Sequence, residues 1–174
     1  MDSSIFTHCL DLLCTILKCA KELEDKKKIV KIFPQLLEYL KSTEDMFFLM
    51  QGTTTLKTFI HFAATQVKEV STSEQIIEVA KKLLDPKTNE QAGVCLGNLV
   101  IQIIHKIQPM IDTSLLMCVV QKIYKSRMPS IVQSLVLVFA RLIQTNPKEI
   151  VTFLSETSID NRISLKIVLD KWLL

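Results

Sequence analysis

Residues 129–145 read PSIVQSLVLVFARLIQT, and this stretch decides the fold. Apolar side chains recur in it at helical spacing along two neighbouring rows instead of one. The first row is Ile131, Leu135, Val138 and Leu142, and the second is Val132, Val136, Phe139 and Ile143. A helix on the surface of a protein needs only one apolar row. Two rows predict a helix that is buried against both its own hairpin partner and a neighbouring repeat.

The rest of the chain predicts further helices and carries no strand or hairpin signal of comparable strength. Capping-box spacing at Ser71–Glu74 and at Thr88–Gln91 predicts two helix starts. The charged residues 22–28 predict a turn, and Pro34 predicts a kink or a restart. The predicted helices cover approximately 5–20, 29–40, 43–70, 71–84, 88–107, 111–124 and 129–145, then a short helix from 146 and a last one over 160–174.

Alternate helix starts recur along the chain, near residues 5, 43, 88 and 129. Their spacing of about 40 residues is that of HEAT and armadillo helix pairs. The prediction is an all-α fold, an α-solenoid superhelix of about four HEAT-like antiparallel helix pairs. Residues 1–174 are expected to form a single HEAT-repeat array. The apolar ending Trp172-Leu173-Leu174 predicts either a segment of a longer solenoid or a chain that associates with another molecule at this end, because terminal repeats normally carry a polar outer face. We expect the segment of a longer solenoid.

Composition and motifs exclude several classes of function. The net charge of +3 is spread along the chain, which does not favour nucleic acid as a partner, and no apolar run is long enough to span a membrane. The nucleophile-elbow, P-loop, zinc-protease and dinucleotide-binding motifs do not occur, so we expect no enzyme activity. Five cysteines without a CxxC pair and three scattered histidines predict neither a metal nor a cofactor site. Gly93 and Gly97 form a GxxxG pair that predicts close approach of a neighbouring helix.

Several short stretches together resemble one known family. The chain is similar to the C-terminal part of the karyopherin-β nuclear transport receptors, and the similarity covers most of its length. The order and spacing of the stretches carry the resemblance, and the LLDPKT turn makes it specific. The stretches are Phe33-Pro34, Met50-Gln51, LLDPKT over 83–88, VQSLVLVFA over 132–140, and Phe153-Leu154 through to Trp172.

The resemblance implies a superhelical receptor that wraps protein cargo on its concave face and shuttles between cytoplasm and nucleus. Such receptors contact Phe-Gly nucleoporins, release cargo to Ran-GTP, and in this branch favour basic cargoes such as histones and ribosomal proteins. Their Ran-binding repeats lie near the N-terminus, and neither that region nor a strongly acidic loop is present in these 174 residues. The resemblance therefore implies one stretch of a receptor, with Ran-GTP and nucleoporin binding expected of the full-length molecule.

The second helix of each pair lines the concave side of a HEAT array, so partner contacts are expected on the fourth and sixth helices. Solvation alone also explains polar residues there, because every helical protein has a polar face. Two alternative functions stay open: a scaffold subunit of another complex, such as a phosphatase or chromosome-associated adaptor, and a small helical enzyme. The candidate residues are Glu74, Glu78, Lys81 and Lys82 on the fourth helix, and Gln121, Lys122 and Lys125 on the sixth.

Overall fold

A computed structural model describes residues 3–20, 22–93, 95–108 and 112–173. A 3₁₀ turn, Glu90–Gly93, precedes α6, and a π-helical segment, Ile103–Ile107, continues it. Two short strands, β1 (Ser158–Ile159) and β2 (Arg162–Ile163), form an antiparallel hairpin. The helices are α1 (Ser3–Cys19), α2 (Leu23–Val30), α3 (Phe33–Ser42), α4 (Met46–Val70), α5 (Ser73–Leu84), α6 (Leu96–Gln102), α7 (Thr113–Lys125), α8 (Pro129–Thr145), α9 (Pro147–Glu156) and α10 (Ser164–Trp172).

The helices pack in two layers. Helices α1, α4, α6 and α8 contact one another in succession and form the first layer. Helices α3, α5, α7 and α10 do the same and form the second layer. Contacts of α4 with α3, of α6 with α5 and of α8 with α7 join the layers. This arrangement confirms the predicted all-α stack of helix pairs.

One continuous apolar core lies between the layers. Phe33 of the second layer and Phe59 of the first are fully buried, with ring centroids 5.4 Å apart. In α8 the first predicted row is buried throughout, and Val132, Val136 and Phe139 of the second row are buried as well. The two-row prediction is therefore confirmed. Its cause is that α8 is covered by α6 on one side and by α7, α9 and α10 on others.

Side-chain caps move several helix starts from their predicted positions. The capping box is formed by Thr72 and Gln75, one residue later than predicted, with each side chain bonded to the backbone N–H of the other residue. Asp45 caps α4 by accepting from the N–H of Phe48 at 3.0 Å, whereas Ser42 belongs to the end of α3.

The helix predicted from Thr88 begins only as the 3₁₀ turn. Pro109, which follows the predicted end of this helix at 107, and Ile111, where the next predicted helix begins, lie outside the described residues.

The charged segment predicted as a turn is the helix α2. Glu24 and Asp25 lie in its first turn, and Lys27 and Lys28 lie in its last. This order of charges is favourable because acids interact with the positive helix N-terminus and bases with the negative C-terminus. Pro34 lies in the first turn of α3, where its missing N–H costs nothing. The predicted restart at this proline is confirmed.

The helix predicted from Asp160 begins four residues later, after a β-hairpin. Asp160 and Asn161 have φ angles of 49° and 63°, in the left-handed region that a two-residue hairpin turn requires. Asp and Asn adopt this conformation more readily than other residues with a Cβ. The Asp-Asn dipeptide is a signal for this turn in the sequence, but the flanking strands are only two residues long, too short for a strand pattern to be recognised.

Candidate partner-binding surface

The predicted candidate residues lie on two helices that are neighbours in the second layer. Residues Glu74, Glu78, Lys81 and Lys82 belong to α5, and Gln121, Lys122 and Lys125 belong to α7. Helices α5 and α7 pack against each other, so the structure places the two sets next to one another. The seven side chains divide into exposed residues and residues that join one helix pair to the next.

Three of the candidates offer an exposed polar group. Glu74 and Gln121 are exposed, and no described residue forms a hydrogen bond or an ion pair with either side chain. The Glu78 side chain is 68% exposed and its Oε2 lies 2.6 Å from Nζ of Lys41. Glu74 and Glu78 are one helical turn apart and therefore lie on the same face of α5. They form an acidic edge that a basic partner can reach.

Lys81 and Lys125 are partly exposed and contact neighbouring segments. Nζ of Lys81 lies 2.6 Å from Oγ of Ser114 and 3.6 Å from a carboxylate oxygen of Asp112, at the start of α7. Nζ of Lys125 lies 2.9 Å from Asp160 in the hairpin turn and 4.7 Å from the ring centroid of Tyr124. The hydrogen bond to Asp160 raises the pKa of Lys125. Both lysines connect elements as well as facing solvent.

Lys82 and Lys122 occupy equivalent places in successive helix pairs, and we call them the junction lysines. Nζ of Lys82 donates to the carbonyl oxygens of Lys41 at 2.6 Å and Thr43 at 2.9 Å, where α3 ends. Nζ of Lys122 donates to the carbonyl oxygens of Asp85 at 2.8 Å and Thr88 at 2.9 Å, just beyond the end of α5. The last carbonyls of a helix lack intrahelical donors, and each junction lysine supplies one from the next pair.

The prediction that Lys122 lies on the exposed polar edge of α7 is wrong. The residue is only 1% exposed, because its ammonium group is directed at the two carbonyls. Burial lowers the pKa of Lys122, and the nearby charges of Glu90 and Asp85 oppose that shift. Lys82 remains partly exposed, with Glu44 at 3.6 Å. The sequence cannot show this role, since the accepting carbonyls lie more than thirty residues away in a loop.

The two-layer stack of helix pairs defines a helical-repeat protein, a class in which each repeat contacts its neighbours and extended surfaces bind partners. A family model described as importin-11-like, TPR repeats, matches residues 5–174. The chain belongs to this family. TPR and HEAT repeats are both stacked helix pairs, so the description agrees with the observed fold.

Two curated relatives carry importin names. Importin-9 of Drosophila melanogaster is 29% identical over 173 residues, which cover 94% of this chain and 17% of that protein. Importin subunit beta-5 of Saccharomyces cerevisiae is 34% identical over 102 residues, which cover 56% of this chain and 10% of that protein. The predicted membership of the karyopherin-β family is confirmed. The chain spans less than a fifth of the length of either relative.

Proposed function

We propose that this chain is a segment of a nuclear import receptor that binds protein cargo through the surface of its helical repeats and catalyses no reaction. The observation that carries the proposal is the match of the importin-11-like family model across residues 5–174, together with the two-layer stack. Among the described residues, no three histidine, cysteine or acidic side chains are grouped closely enough to hold a metal. None of the described helices is long and apolar enough to cross a membrane.

The acidic edge of α5 supports a basic protein as cargo. Glu74 and Glu78 lie on one face of α5, and the neighbouring helix α7 carries the exposed amide of Gln121. Basic proteins such as histones and ribosomal proteins are the proposed class, following the resemblance to the importin-9 branch. Ran-GTP and Phe-Gly nucleoporins are proposed partners of the full-length receptor, which would shuttle between cytoplasm and nucleus. A scaffold role in a phosphatase or chromosome-associated complex is the alternative.

Reversing the acidic edge is expected to weaken cargo binding. In Glu74→Lys/Glu78→Lys, two carboxylates that attract a basic cargo become cations that repel it. Each reversed surface contact is worth about 0.5–1 kcal/mol, so the dissociation constant for a labelled dimer of core histones should rise roughly tenfold. Fluorescence anisotropy at physiological ionic strength measures this change.

The matched control is Glu149→Lys/Glu156→Lys, which makes the same change of charge on two exposed residues of α9. It should leave the dissociation constant within about twofold of the wild-type value, because surface charges away from the interface interact weakly at physiological salt. Equal losses in both variants, or no measurable binding by the wild-type chain, would contradict the proposed cargo surface. Recovery of a phosphatase core in a pull-down would favour the scaffold alternative.

A further inference from the structure

Two adjoining cavities of about 380 and 450 Å³ form a groove along α4 in the first layer. They share His61 and Phe62 and continue into each other, and we call them the first-layer groove. The first cavity is bordered by α1, α4 and α6, and the second by α2, α4 and the π-helical segment. The groove therefore lies on the layer opposite to α5 and α7.

The groove is basic and has no compensating acid. Four lysines line it and no carboxylate does: Lys18, Lys26, Lys57 and Lys106. In the part of the chain that the structure describes, none of the four forms an ion pair. By contrast, four lysines of the second layer are each paired with a carboxylate: Lys41, Lys81, Lys82 and Lys125. Positive charges that line a concave site concentrate a positive electrostatic potential there, which attracts an anionic ligand.

Two backbone irregularities meet at the shared centre of the groove. Helix α4 is interrupted at Ala63, which has φ −140° and ψ 34°, one residue after Phe62. The π-helical segment, Ile103–Ile107, contacts α4. Nζ of Lys106 donates to the carbonyl of His61 at 2.6 Å, beside the interruption. Single π-helical turns occur frequently at functional sites. At an interruption, a helix also leaves backbone groups without the intrahelical hydrogen bonds that they form in a regular helix.

The groove also offers polar groups suited to a peptide. Thr54, Lys57 and His61 lie on one stripe of α4, facing Asn98 and Gln102 of α6 across the cavity. Asn98 is exposed, and no described residue forms a hydrogen bond with its amide group. A side-chain amide both donates and accepts, so it can bind the N–H and the C=O of a polypeptide backbone, whereas a phosphodiester backbone supplies acceptors only.

We propose that the first-layer groove binds an acidic segment of a polypeptide in extended conformation. The lysines attract its carboxylates, the amide of Asn98 hydrogen-bonds to its backbone, and the exposed ring of Phe62 contacts its aliphatic carbons. The chain's net charge is only +3, and Phe62 is the one large aromatic ring among the described residues that line the groove. The groove therefore lacks the row of stacking aromatic residues with which proteins bind single-stranded nucleic acid, which favours an acidic polypeptide. The inference stands apart from the proposed cargo surface, which is acidic and lies on the other layer.

The test uses the 174-residue chain and a short fluorescein-labelled peptide of alternating glutamate and serine. Lys18→Glu/Lys57→Glu is expected to weaken binding of this peptide roughly tenfold, since two attractive contacts become repulsive. The control variant Lys87→Glu/Lys148→Glu makes the same change of charge at two exposed lysines outside the groove and should bind within about twofold of wild type. Far-UV circular dichroism verifies that both variants are folded.

A second variant separates a peptide from a nucleic acid. Asn98→Leu removes an exposed amide that both donates and accepts, so it should weaken the peptide about fivefold. A labelled oligothymidylate should be weakened less, because its phosphodiester backbone can use the donor only. The inference is overturned if the wild-type chain does not bind the peptide or if the control variant loses as much affinity as the groove variant. It is also overturned if the oligothymidylate binds more tightly than the peptide and depends on the same lysines.

Discussion

Replacing Gly97 with alanine is expected to lower the free energy of unfolding by about 3 kcal/mol, because the added methyl group would overlap the backbone of α8. A Cβ at this position would lie 2.6 Å from the carbonyl carbon of Ser134 and closer still to its carbonyl oxygen and Oγ. Real Cβ contacts essentially never fall below 3.0 Å. Since the obstacle includes backbone, a rotamer change cannot remove it, and α6 must move away from α8.

Alanine favours the helical backbone over glycine by about 1 kcal/mol, and this gain offsets part of the loss. The steric overlap with α8 is expected to cost more than that gain. Urea unfolding followed by far-UV circular dichroism measures the difference. Gly93→Ala is the matched control in the same GxxxG pair. Its Cβ would meet only the tips of Ile131 and Leu96, at 3.0 and 3.2 Å, so a change below about 1 kcal/mol is expected. A Gly97→Ala protein as stable as wild type would show that α6 and α8 are not held in close contact.

Replacing Lys122 with methionine is expected to cost about 2 kcal/mol of stability. Methionine keeps much of the side-chain volume but loses both hydrogen bonds. The carbonyl of Thr88 then lacks the ammonium donor, while the carbonyl of Asp85 keeps the N–H of Thr88 at 3.0 Å. The wild-type lysine does suffer desolvation, as its lowered pKa indicates, so removing the charge recovers part of the loss. The loss of the two hydrogen bonds is expected to dominate, because they join α7 to the segment that follows α5.

The control for Lys122→Met is Lys125→Met on the same helix. Lys125 is about half exposed and pairs with Asp160 at the surface, so its replacement should leave the free energy of unfolding close to the wild-type value. The urea midpoints of the two variants should therefore differ clearly. Equal midpoints would contradict a stabilising role for the buried ammonium group at the junction between pairs.

The parts of the fold that depend on local sequence pattern could be predicted. The two apolar rows of α8 are visible because each residue's neighbours lie three or four positions away. The start of α5 was misplaced by one residue, since Ser71, Thr72 and Ser73 compete as caps and only the folded chain selects Thr72. The turn at Asp160 and Asn161 was missed because it joins strands of only two residues.

The candidate surfaces were predictable only in part. Glu74 and Glu78 are exposed as expected, because their spacing on α5 sets their face. The burial of Lys122 depends on carbonyls contributed by the preceding pair, which no local pattern reveals. The first-layer groove needs Lys18, Lys57 and Lys106 from three different elements. Its one local signal is the spacing of Thr54, Lys57 and His61 along a single stripe of α4.

Hydrogen exchange of the chain with and without the core histone dimer tests most directly whether the second layer receives cargo. Amides of α5 and α7 are predicted to exchange more slowly in the complex, while those of α9 stay unchanged. Slower exchange confined to α9, or an unchanged pattern at a saturating concentration of the dimer, would contradict a cargo surface on the second layer.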